Sequence, residues 1–174
     1  MHRTFCSHII AFANETHEAT PHSVYCDSSD FEGGIGTLAI MYANSQEIDS
    51  LCYHLGPISK HMVYEAEIIG LMLGLHLLSS IKKISHPHLP TILGTDSQAT
   101  IKALNNQKPH PAYYLLDHVH DTAKKLHIKQ YHHLNSRAYK TTLCHGNPWK
   151  DQVRDVITLQ LIWTPGHINF APNE

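Results

Sequence analysis

Residues 63–82 read VYEAEIIGLMLGLHLLSSIK, and this stretch decides the fold. Its apolar positions Ile68, Leu71, Met72, Leu75, Leu78 and Ile81 recur at helical spacing, and Lys82 and Lys83 follow where cations complement the helix dipole. Upstream the pattern is that of strands. Ser23 to Asp27 is a strand candidate that ends in a polar turn, Ser28 to Glu32, and the glycines Gly33, Gly34 and Gly36. Thr37 to Ala43 and Ile48 to Leu55, separated by the turn Asn44-Ser45-Gln46, complete an antiparallel meander.

Downstream of the helix, Leu89 to Gly94 is a strand, and Thr95-Asp96-Ser97 supplies cap residues for a helix through Leu104. Pro109 and Pro111 interrupt, after which Tyr113, Leu116, Val119, His120, Ala123 and Leu126 mark another helix. Residues His132 to Asp151 are polar and marked by His, Gly and Pro, so a loop is expected there. Val156 to Trp163 is a last strand before Thr164-Pro165-Gly166-His167. Met1 to His22 shows no sustained period and is expected to be a loosely structured arm or linker, leaving residues 23–174 as the domain. Three strands, a helix, a strand, two helices and a strand predict an α/β fold. Its sheet is mixed and five-stranded, three antiparallel strands followed by parallel ones, with helices on its faces. A right-handed crossover sets the strands beginning at Ser23 and Leu89 side by side and parallel, which brings Asp27 and Asp96 together at their C-terminal ends.

Composition narrows the classes. At 174 residues, 42% hydrophobic and 16% charged, the chain is long enough for one buried core and is not a disordered tail. The longest nearly apolar run, Ile68 to Leu78, holds His76 and is too short to span a bilayer, so no membrane association is expected. Thirteen Lys and Arg against 15 Asp and Glu give a net charge of −2, so any nucleic-acid site must be a local patch. Cys6, Cys26, Cys52 and Cys144 never approach a Cys-x-x-Cys spacing and read as free thiols in a reducing compartment. Met1 to Ala13 is broken by His2, Arg3 and His8 with no cleavage site after it, so the expected location is intracellular, nuclear or cytoplasmic, and not secreted. The 17 histidines make net charge pH-sensitive. They form no zinc pattern: His118 and His120 point apart on a helix, and His132-His133 has no partner cysteine at finger spacing.

Three acidic residues stand in apolar surroundings. Asp27 closes a strand, Glu67 lies in the first turns of the apolar helix, and Asp96 closes another strand. Singly, each has an ordinary role as turn former, solvated first-turn acid or helix cap. Glu65 competes with Glu67, because residues i and i+2 do not share a helix face. Together, three converging carboxylates repel one another and are costly unless a hard, oxygen-liganded divalent cation sits among them. Two such ions suit phosphodiester hydrolysis.

The segments resemble the ribonuclease H family in order and wording. Val24-Tyr25-Cys26-Asp27-Ser28-Ser29 looks like the family's first-strand tyrosine-x-aspartate-glycine-serine, and Gly33-Gly34-Ile35-Gly36 like its glycine turn. Tyr64-Glu65-Ala66-Glu67 is similar to the alanine-glutamate helix segment, which selects Glu67 over Glu65. Gly94-Thr95-Asp96-Ser97-Gln98 resembles threonine-aspartate-serine-glutamine. Trp163-Thr164-Pro165-Gly166-His167 and Asn173-Glu174 resemble tryptophan-x-x-glycine-histidine and the asparagine-glutamate beyond it. The tyrosine-glutamate-alanine-glutamate wording is closest to domains attached to reverse transcriptases of retroelements.

The resemblance implies cleavage of the RNA strand of an RNA–DNA hybrid, with Asp27, Glu67 and Asp96 as ligands of two Mg²⁺ ions that Mn²⁺ can replace. It implies His167 as a mobile proton shuttle or product-release group, Ser28, Ser97 and Gln98 facing the hybrid's minor groove, and an upstream reverse transcriptase domain as partner. The alternative is a module that binds hybrid without cleaving it well. Ser28 stands where the family has glycine, and no basic helix pair lies between Leu104 and Pro111, so modest substrate affinity, or affinity supplied by another domain, is expected. In the family a fourth metal-binding aspartate opens a closing helix just past the asparagine-glutamate pair. The sequence ends at Glu174, so a longer natural protein is expected, and the 174-residue form without that helix is expected to be less stable and weakly active.

Overall fold

The structure is a computed structural model that describes residues 2–81, 90–106, 112–145 and 159–166, with side chains in 11–81, 90–106, 112–130 and 159–166. Its elements run α1 (His2–Ala19), β1 (His22–Phe31), β2 (Gly34–Ala43), β3 (Gln46–Pro57), α2 (Val63–Ser80), β4 (Thr91–Thr95), α3 (Gln98–Leu104), α4 (Tyr113–His145) and β5 (Leu159–Trp163). One sheet of order β3-β2-β1-β4-β5 holds all five strands. β1, β2 and β3 are antiparallel, whereas β1 with β4 and β4 with β5 are parallel, as the order of strand and helix patterns predicts.

α2 forms because residues 63–80 carry apolar side chains at helical period with no proline among them. It packs on β1 and β2. Ile68, Leu71, Leu75 and Leu78 are fully or almost fully buried beside Val24, Cys26, Ala39 and Met41, each large side chain contributing roughly 1.5–3 kcal/mol. By length and composition its 18 residues could cross a membrane, but that apolarity is spent on the core of the sheet. Gly70 and Gly74, one turn apart, let the helix backbone approach closely: a Cβ at Gly70 would lie 2.6 Å from Oγ1 of Thr37, and one at Gly74 2.9 Å from Sγ of Cys26.

Three expectations are corrected. The polar turn expected over Ser28 to Glu32 is strand as far as Phe31, because pairing with β2 continues to Gly34. Residues 2–19 form a helix instead of a loose arm. α1 lays Ala13 against Tyr25, and Nδ1 of His17 hydrogen-bonds with the Tyr25 hydroxyl at 3.1 Å and with Oγ of Ser23 at 3.2 Å. Burial drives the pKa of His17 down and that of Tyr25 up to about 12, so both stay neutral in this contact. No glycine or proline occurs before Pro21, and docking on the sheet stabilises a segment whose own periodicity is weak. The expected loop from His132 is also helix as far as His145. Polar residues alone do not break a helix, and the first breakers, Gly146 and Pro148, come only after it. The remainder of that expected loop, residues 146–151, lies outside the described residues.

Candidate active site

β1 and β4 pair in parallel up to Cys26 opposite Thr95, so Asp27 and Asp96 are the next residues on adjacent strands. Here the sheet changes sense, β2 lying antiparallel on one side of β1 and β4 parallel on the other, and strand C-termini at such a switch point open a crevice. α2 crosses behind it and turns Glu67 into the same space. One carboxylate oxygen from each of Asp27, Glu67 and Asp96 lies within 4.8 Å of the others. The three carboxylates that the sequence singles out are therefore brought together.

Each is held differently. Asp27 accepts from its neighbour's amide, Ser28 N to Oδ1 at 2.8 Å, while the Thr37 hydroxyl donates to its carbonyl at 2.9 Å. Glu67, only 9% exposed, accepts from the Ser28 hydroxyl at Oε1 and from the Thr95 hydroxyl at Oε2, the latter at 3.4 Å. Burial, with the neighbouring Asp96 and Asp27 charges adding, raises the Glu67 pKa from 4.5 to about 7, against the lowering effect of the Ser28 and Thr95 bonds. The carbonyl of Asp96 accepts from the Trp163 indole at 2.9 Å and from Gln98 N at 3.1 Å.

Glu65 is turned away. It accepts from Met62 N at 3.0 Å and lies 3.5 Å from Nδ1 of His61, serving the start of α2. Ser97 caps α3, its Oγ accepting from Thr100 N at 3.3 Å, and Gln98 is exposed in the first turn of that helix. The Ser28 hydroxyl is engaged inside the site with Glu67. His167, with Asn173 and Glu174, lies outside the described residues.

The sequence does not mark Thr37, Thr95 and Trp163 as supports of the carboxylates. Thr95 and Trp163 fall within the quoted motifs, so their neighbourhood is marked there, but the atoms they hold are not. Beside Asp27 a cavity of about 360 Å³ opens across the outer strands, walled by Ser29, Gly36, Leu38, Cys52 and His54.

An all-oxygen set of three carboxylates fits a hard divalent cation.

No family model matches the chain, and no curated protein matches it. Solved structures do. Ribonuclease H1 of Halobacterium salinarum superposes with a TM-score of 0.50 at 12% identity, over 83% of this chain and 85% of that one. LC11-RNase H1, solved in complex with an RNA/DNA hybrid, superposes with a TM-score of 0.51 at 10% identity over the same shares. At such identity the likeness speaks to architecture, and it agrees with the strand order and the mixed sheet: this chain has the ribonuclease H-like fold.

Proposed function

We propose that this chain hydrolyses the RNA strand of an RNA–DNA hybrid at two divalent cations, Mg²⁺ or Mn²⁺, held by Asp27, Glu67 and Asp96. The observation that carries this reading is the convergence of three carboxylate oxygens within 4.8 Å on the ribonuclease H-like fold. Bound cations supply a lowered pKa for an attacking water and charge stabilisation of the leaving oxygen. The chain's own residues hold the ligands still. Ser28 and Thr95 fix both oxygens of Glu67, and the amide of Ser28 fixes Asp27. Gln98, exposed near Asp96, reads 2′-hydroxyls in the minor groove, and His167 serves as a proton shuttle or product-release group. The tyrosine-glutamate-alanine-glutamate wording at residues 64–67 supports an origin in a retroelement polyprotein, behind a reverse transcriptase domain.

The test is incubation with labelled RNA–DNA hybrid, RNA duplex and DNA duplex, each with Mg²⁺ and with chelator. Cutting of the RNA strand in hybrid alone, abolished by chelator, is the expected result. Cleavage that persists in chelator, or cleavage of DNA duplex, overturns the reading, and hybrid bound but left whole selects a non-catalytic module instead.

A further inference from the structure

We infer that Trp163 and Gly166 form a clamp that positions Asp96 for cation binding, an inference that rests on the two-cation reading above. Asp96 stands one residue beyond the last paired residue of β4, so the sheet ladder does not fix its peptide. β5 does. Trp163 pairs with Thr95, and the next amide, Thr164 N, donates to the Thr95 carbonyl at 2.9 Å, which extends the pairing to the level of the site. From that point the Trp163 indole reaches across and donates to the carbonyl of Asp96 at 2.9 Å.

The side chain of Asp96 is bounded by the same segment. A Cβ added at Gly166 would lie 2.1 Å from Oδ2 of Asp96 and 3.0 Å from its Cγ, so the carboxylate rests on a bare α-carbon. Any side chain there would displace Asp96 from its place beside Asp27 and Glu67. Glu67 and Asp27 are held from β1 and β4, by Ser28 and Thr95. The end of β5 performs the corresponding service for Asp96. Trp163 acts only through Asp96, which makes it a positioning residue.

The chain has two tryptophans, so Trp149→Phe leaves Trp163 as the only indole and gives a parent with a local signal. Calorimetric Mn²⁺ titration of the metal-free full chain, thermal melting and hybrid cleavage are measured for this parent, for Trp163→Phe and for Gly166→Ala. Trp163→Phe keeps the ring and removes the donor. It should weaken Mn²⁺ binding and lower kcat by about five- to tenfold, with KM for hybrid unchanged and only a small change in melting temperature. Gly166→Ala should weaken Mn²⁺ binding at least as much, and Mn²⁺ should quench Trp163 fluorescence in the parent. Unaltered Mn²⁺ affinity in the two variants overturns the clamp; if Trp163→Phe fails to fold, Gly166→Ala alone decides it. A parent that binds Mn²⁺ but leaves hybrid intact refutes the proposed activity and still reads the clamp through Mn²⁺. A parent that binds no Mn²⁺ refutes both.

Discussion

The hydroxyl of Ser28 donates to Oε1 of Glu67, tying the residue after the first carboxylate to the second one across 39 positions of chain. A hydrogen bond to the ionised form favours it, so this bond opposes the burial that pushes the Glu67 carboxyl toward neutrality. Ser28→Ala and Ser28→Gly should each lower hybrid cleavage by about tenfold, the worth of one charge-assisted bond. They should also move the acidic limb of the pH–rate profile to higher pH, while Ser28→Thr keeps the donor and stays near the parent. A profile that does not move with Ser28→Ala would separate this hydroxyl from the chemistry.

Glu65 and Glu67 lie two residues apart but do different work. Glu67→Gln should remove cleavage, because the amide cannot supply the charge that holds a cation. Glu65→Gln keeps an oxygen acceptor for Met62 N and loses only a charge at the helix start, so melting temperature and cleavage should both stay close to the parent. Asp96→Asn should likewise abolish cleavage while hybrid binding, followed by gel shift, survives. Equal loss of cleavage from both glutamate variants would mean that Glu67 is not the ligand that distinguishes the pair.

The Glu67 carboxyl, raised from 4.5 to about 7, gives a pH dependence of definite sign. The folded state favours the protonated form, so the stabilisation is complete below about pH 4.5 and is lost as pH rises through about 7. Metal-free protein should therefore lose melting temperature across that window by more than Glu67→Gln does, and saturating Mg²⁺ should reverse the loss. Parallel curves for the two proteins would contradict the assignment.

Two thiols should differ in reactivity. Cys26 is 2% exposed under α2, and burial, with Glu67 and Asp27 adding, pushes its thiol far up, whereas Cys52 is exposed on β3. In a chain with Cys6 and Cys144 replaced by serine, iodoacetamide should label Cys52 promptly and spare Cys26 until denaturant is added. Prompt labelling of Cys26 in the native protein would mean that α2 does not seal the sheet.

Much of this architecture is legible in the sequence where local pattern and tertiary demand agree. The helix of residues 63–80 is nearly coextensive with its apolar period, and Asp27 and Asp96 end up adjacent because the crossover rule leaves their strands little choice. The failures have a common physics. α1 owes its existence to docking on Tyr25 and Tyr42, which no local period announces. α4 runs past His132 because polarity is not a stop signal. The supports of the carboxylates escape notice for a further reason. The Trp163 indole meets a main-chain carbonyl, and the identity of Asp96 does nothing to specify that contact.

The wide sequence separation of the site has a consequence in time. The β1–β2–β3 meander joins neighbours along the chain and closes small loops, whereas the Trp163 to Asp96 bond must close 67 positions. Contacts of that range are entropically costlier to close, so the acidic centre is expected to assemble after the meander. A cation that requires the finished centre has nothing to bind on a half-folded chain. Added Mg²⁺ should then leave the refolding rate unchanged and slow unfolding, acting as a latch that engages only once the last strand is in place.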